Sequence, residues 1–193
     1  MRTATRLRFA ESRTPGMLDD FNRANSTTTL GTSSSGAVWT AHGGTWGINS
    51  NQAYVVSADT AEHVASIEAG KSDLTVSASI LMNGNNPCLI FRLQDGTNFM
   101  MALCLAGTGQ IQFYKRVAGA YTSLGLSATG LYASGSTNTL SVTAAGSSLS
   151  AKLNGTTVLS ITDATFSTQT KVGFRHQNGS SSTTARWDNL TVI

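Results

Sequence analysis

TLSVTAAGSSLSAKLNGTTVLSI, residues 139–161, decides the fold class. Leu140, Val142 and Ala144 alternate with Thr139, Ser141 and Thr143, the two-residue period of a strand with one face buried and the other wet. Threonine suits the wet face because its branched Cβ favours extended backbone. Asn154-Gly155 then stands between two β-prone runs, LSAKL (149–153) and TTVLSI (156–161). Both residues tolerate positive φ, so the pair predicts a tight hairpin.

The same pattern spreads in both directions. AYVVS (53–57), DLTVSASILM (73–82), CLIFRLQ (88–94), FMMALCLA (99–106), QIQFYKRV (110–117), KVGFRH (171–176) and ARWDNLTVI (185–193) are short apolar or alternating runs separated by Gly, Asn, Asp and Ser. Strands at this spacing predict an all-β sandwich or barrel. Helical periodicity is nearly absent. The two prolines, Pro15 and Pro87, sit at the edges of runs, where a missing N–H costs no ladder bond. STTTLGTSSSG (26–36) has linker composition, but it lies between Phe21 and Trp39 and reads as a surface loop inside the domain. With 193 residues the chain is expected to hold one domain, residues 17–193, behind an extended arm of residues 1–16.

Charge separates arm from body. Only 12% of residues are charged, and the net charge is +3. The first sixteen residues hold four arginines and one glutamate, which accounts for all of it. A nucleic-acid-binding domain needs a basic face of its own, and the body has no net charge to supply one. No run approaches the roughly 20 apolar residues of a membrane helix. The arm lacks the apolar core of a secretory signal, so Cys88 and Cys104 are expected to be reduced and buried.

Catalytic constellations are missing from the sequence. Glycosidic hydrolysis usually needs two facing carboxylates; Glu11, Glu62 and Glu68 are scattered, and Asp19-Asp20 is the one adjacent acidic pair. The histidines, His42, His63 and His176, have no metal-ligand spacing; His63 reads as a surface strand residue. Trp39, Trp46 and Trp187 are read as core before sugar platforms. Alternation does place a polar set together. In LIFRLQ, Leu89, Phe91 and Leu93 oppose Arg92 and Gln94. In QIQFY, Ile111 and Phe113 oppose Gln112 and Tyr114, and in VGFRHQ, Val172 and Phe174 oppose Arg175 and Gln177. In one sheet, these side chains form either an ordinary solvated face or an Arg/Gln/Tyr surface for hydroxyls and carboxylates.

LDDFNRANSTTTLG and VWTAHGGTWGI supply an Asp-x-Phe-x-Arg motif, a Leu-Gly turn and two spaced tryptophans. This opening resembles that of concanavalin A-like (laminin-G-like) jelly rolls common in bacterial and phage proteins. LIFRLQDGTNFMMAL, LSVTAAGSSLSAKLNGTTVLSITDATF and VGFRHQNGSSSTTARWDNLTV follow in the order that family has them. The resemblance implies an antiparallel two-sheet jelly-roll sandwich over residues 17–193, with the final strand paired near the first. Sugar-cleaving relatives carry a Glu-x-Asp-x-x-Glu strand that this chain lacks, so no enzymatic activity is carried over. Some relatives hold a structural calcium between an aspartate at the domain's start and one in the last strand. Asp20 and Asp188 are the matching positions.

The arm points to function. In Arg6-Leu7-Arg8-Phe9 basic and apolar residues alternate, as in a strand added to a partner's sheet edge. Arg2, Arg6, Leu7, Arg8, Phe9 and Arg13 are the expected anchoring residues. Jelly rolls without catalytic residues resemble minor tail or capsid-decorating proteins of tailed bacteriophages. The sequence reading is therefore a non-enzymatic virion accessory protein, assembled in the host cytoplasm without a signal peptide. Its partners would be other virion subunits, copies of itself and host-surface glycans. The alternative is a bacterial carbohydrate-binding module without catalytic activity.

Overall fold

The computed structural model describes residues 16–57, 62–83, 86–177 and 184–193. It is an all-β sandwich of two antiparallel sheets, with no helix among the described residues. One sheet runs β13 (Thr156–Thr162), β12 (Ser148–Leu153), β11 (Ser136–Ala145), β6 (Leu74–Met82), β15 (Arg186–Val192), β4 (Gln52–Val55), β3 (Trp46–Asn49), and β1 (Met17–Asp19) also pairs with β15. The other runs β10 (Ala120–Leu126), β9 (Gln110–Val117), β8 (Asn98–Leu105), β7 (Cys88–Asp95), β14 (Lys171–His176), β5 (His63–Glu68), β2 (Thr40–Gly43). First and last strands are neighbours, as expected. The residues expected to anchor the arm, Arg2, Arg6, Leu7, Arg8, Phe9 and Arg13, lie outside the described residues.

Alternation builds the interior. In β6, Leu74, Val76, Ala78, Ile80 and Met82 are buried while the residues between them are half-exposed. β11 repeats the pattern with Leu140, Val142 and Ala144. On the outside of this sheet hydroxyls pair laterally: Thr75 with Thr143 at 2.8 Å and Ser77 with Thr191 at 2.6 Å. The β12–β13 hairpin turns at Asn154 (φ 49°) and Gly155 (φ 85°), the left-handed pair that the sequence demands.

All three tryptophans are buried. Trp39 stacks on Phe174 at 5.3 Å and Phe174 on Trp187 at 5.4 Å, while Trp46 lies 5.3 Å from Trp187. They join both sheets and are not sugar platforms. His63 departs from its expected place on the surface. The parity of β5 puts it inward with Ala65 and Ile67, so it is fully buried, edge-on to His176 at 5.7 Å.

The Asp-x-Phe-x-Arg motif closes one end of the sandwich around Asp19, which is fully buried. Its Oδ1 accepts hydrogen bonds from Arg23 Nη1 (2.7 Å) and the Phe21 amide (3.0 Å); Oδ2 accepts from Arg23 Nη2 (2.9 Å) and Trp39 Nε1 (2.6 Å). Arg23 Nε also donates to the Leu30 carbonyl at 3.1 Å, which pins the serine- and threonine-rich loop into the domain. Phe21 takes a left-handed φ of 51° and fills the core beside Trp39 at 5.7 Å.

Removing one partner of a buried ion pair leaves the other uncompensated, at a cost of about 3–5 kcal/mol. Asp19→Ala is expected to lose stability on this scale, read as a lower urea midpoint. A midpoint equal to that of the parent would show that the motif is dispensable.

Candidate functional site

The outer face of the seven-stranded sheet carries a second apolar cluster, separate from the core: Val64, Cys88, Ile90, Leu93, Phe99, Met101 and Leu103. Above Phe99 lies a charged network. Arg175 Nε and the Tyr121 hydroxyl (2.7 Å) both donate to Glu62 Oε1. The Arg116 guanidinium lies 5.0 Å from the centre of the Tyr121 ring and 5.8 Å from that of Phe99. Arg116 is fixed in turn, donating from Nη1 to the Gly96 carbonyl at 2.7 Å. Burial disfavours a charged Glu62, but the hydrogen bond and charge of Arg175, helped by Tyr121 and Arg116, outweigh it and hold the carboxyl below its ordinary range. Burial first, then Glu62, push the Tyr121 phenol up.

Beside the network opens a cleft of about 290 Å³, lined by Asn86, Met101, Leu103, Leu105, Tyr114, Tyr121, Arg175 and Gln177. Met101, Leu103 and Leu105 make an apolar floor. Tyr114 packs edge-on to Tyr121 at 6.2 Å. Asn86 Nδ2 donates to Gln177 Oε1 at 2.7 Å, and Asn86 Oδ1 accepts the Ala106 amide at 3.2 Å. Beneath Arg175, whose Nη1 is 3.9 Å from its sulfur, Cys88 is fully buried. Burial pushes its thiol up to about 11 despite Arg175. Cys104 faces the core instead, so the two cysteines lie on opposite faces, both free thiols.

Of the polar set expected from alternation, Arg175 and Tyr114 line the cleft, and Gln112 lies beyond it, donating to Ser123 Oγ at 2.9 Å. Arg92 and Gln94 do not join them. Arg92 adopts a φ of 51° where the β7–β8 register shifts, a β-bulge that inverts the parity of every later residue. Leu93 consequently joins the outer cluster, away from Phe91 in the core. Arg92 turns inward, fully buried, and its Nη2 donates to the Gly146 carbonyl in the β11–β12 turn at 2.6 Å. Gln94 falls at the exposed end of β7.

Sequence reasoning missed Glu62, Arg116, Tyr121 and Asn86. Arg116 continues the Gln112–Tyr114 alternation by one step and was legible there. Tyr121 follows from the β9–β10 hairpin, whose register pairs it with Arg116. Glu62 precedes its strand and carries no local signal.

Asp20 lies near enough to Asp188 for its charge to be felt there. Each accepts a neighbouring amide at Oδ1, from Asn22 (3.1 Å) and Asn189 (2.7 Å). Nearby Asp19 is fully engaged by Arg23 and Trp39, and calcium takes six to eight oxygens. No group of three or more metal-ligating side chains occurs among the described residues. Burial raises the Asp188 pKa, and the charges of Asp20 and Asp19 add to it.

No protein-family model matches the sequence, and no curated protein does either. Solved structures do match. The carbohydrate-binding module CBM66 from Bacillus subtilis superposes with a TM-score of 0.68 at 24% identity, over 80% of this chain and 94% of that one. The exoplasmic/lumenal domain of VIP36 in its Ca2+/Man-bound form gives 0.58 at 11%, over 80% and 82%. A putative glycosyl hydrolase from Parabacteroides distasonis gives 0.58 at 10%, over 80% and 87%. At these identities the likeness establishes the fold. It is a two-sheet antiparallel jelly-roll sandwich.

A carboxyl whose pKa is raised on folding favours the folded state while protonated, and that advantage is lost as pH rises through the folded value. Ionised Asp188 therefore destabilises the protein at neutral pH. Asp188→Asn, which keeps the acceptor for the Asn189 amide, should melt higher than the parent at pH 7, with the gap closing towards pH 3. A higher-melting parent at pH 7 without added metal would refute this.

Proposed function

We propose that this protein is a non-catalytic carbohydrate-binding module and that the outer-face cleft holds the sugar. The carrying observation is the composition of the cleft: an apolar floor, a tyrosine wall and a fixed guanidinium with amides at the rim. Pyranose rings present CH-rich faces and polar edges, and such sites bind them by packing the first and hydrogen-bonding the second. The carbohydrate-binding and lectin domains among the structural neighbours support this reading.

Hydrolysis is disfavoured by the chemistry of the same cleft. Its described lining carries no carboxylate, and the nearest, Glu62, is held ionised by Arg175. A general acid needs the opposite, a carboxyl kept protonated near neutrality. We assign no virion role: that reading rested on the arm and on family resemblance, and neither the fold nor the neighbours speak for it.

A glycan array should show selective retention. On the best glycan, Tyr114→Ala should weaken binding at least tenfold by calorimetry, about 1.4 kcal/mol, with far-UV circular dichroism unchanged. An array with no bound glycan, or full affinity in Tyr114→Ala, would remove the proposal.

A further inference from the structure

The polar atoms that the cleft leaves free differ in kind from those of an ordinary sugar site. Each amide carbonyl already accepts one hydrogen bond, Gln177 Oε1 from Asn86 and Asn86 Oδ1 from Ala106, which leaves one lone pair apiece. What remains on Gln177 is its Nε2 donor. Arg175 spends Nε on Glu62 and points Nη1 at Cys88, which leaves Nη2 without a hydrogen bond to any described residue. Tyr121 has committed its proton to Glu62. The Tyr114 hydroxyl has no hydrogen-bond partner among the described residues. The N–H groups of Arg175 Nη2, Gln177 Nε2 and Asn86 Nδ2 thus give the cavity a surplus of nitrogen donors, against single lone pairs on the two amide oxygens and the tyrosine hydroxyls.

A sugar hydroxyl both donates and accepts, so a neutral polyol satisfies a donor-rich cleft poorly. An ionised carboxylate only accepts, with about four lone-pair sites, and hydrogen bonds between charged partners are roughly twice as strong as neutral ones. Charge points the same way. Two guanidinium groups, Arg116 and Arg175, share one carboxylate, Glu62, so the network keeps a net positive charge. No acidic side chain among the described lining residues cancels it. Arg175 is 6% exposed, in surroundings where its field is less screened than on the surface.

We infer that the ligand is an acidic glycan, bound through the carboxylate of a uronic or ulosonic acid residue. Arg175 Nη2 and Gln177 Nε2 hold the carboxylate, Tyr114 contributes its hydroxyl, and the sugar ring lies on Met101, Leu103 and Leu105. The inference rests on the cleft being the glycan site. It is separate from the Asp20–Asp188 pair, which lies at the other sheet.

The test titrates the intact protein with polygalacturonate, alginate and polysialic acid, each beside a carboxyl-reduced form of the same polymer. At least one acidic polymer should bind tenfold or more tightly than its reduced form, and the advantage should persist at 150 mM NaCl because the site is largely shielded from solvent. Arg175→Lys should shrink the preference, and Gln177→Ala, at an exposed rim position, should weaken acidic binding without threatening the fold. Equal binding of acidic and reduced polymers, or preference for neutral glycans on a broader array, would overturn the inference and leave the glycan-binding reading standing. Binding of no glycan at all would overturn that reading as well. An acidic preference unmoved by both substitutions would place the site elsewhere and defeat the assignment.

Discussion

Asp19 is the constraint from which the rest follows. A fully buried carboxylate is tolerated only when its charge and lone pairs are met, and here a guanidinium, an indole and a backbone amide meet them at once. That requirement fixes the left-handed turn at Phe21, seats its ring against Trp39, and holds the serine- and threonine-rich loop through Arg23. The aromatic stack from Phe21 through Trp39 and Phe174 to Trp187 then carries the geometry across both sheets. Phe174 stands one residue before Arg175 in β14, on the opposite face. Packing at the motif thus sets the position of Arg175 on the far side of the same strand.

The site is a third layer built from side chains. The seven-stranded sheet presents apolar residues outward, and an uncovered patch of that kind is a liability. The Glu62–Arg175–Tyr121–Arg116 network covers part of it, and the cleft is the part next to it. Its arrangement also explains why one carboxylate serves two arginines. Glu62 immobilises the Arg175 guanidinium through a hydrogen bond and its charge, while Arg116 is held by the Gly96 carbonyl and lies over the Phe99 and Tyr121 rings.

Much of the architecture was legible. Alternation in residues 139–145 and 74–82, the Asn154-Gly155 turn and the opening motif each correspond to a local rule with one dominant physical cause. The candidate site was legible only in part. Tyr114 and Arg175 obey the period of two, and so appear where alternation puts them. Arg92 and Gln94 break it because a single bulged residue resets parity, and nothing in LIFRLQ announces a bulge at arginine. His63 failed for a related reason: its strand's register, set by pairing with β14, decided which face it took. Glu62 and Asn86 enter from loops, and their place depends on tertiary packing that no spacing encodes.

The thiol of Cys88 gives this arrangement an unexpected use. Lying under Arg175 with its proton tightly held, it is closed to alkylating reagents as long as the ion pair above it stays shut. Its modification rate therefore counts the moments at which that cover lifts. A thiol buried on the sheet thus reports the opening of an ion pair that it does not itself belong to.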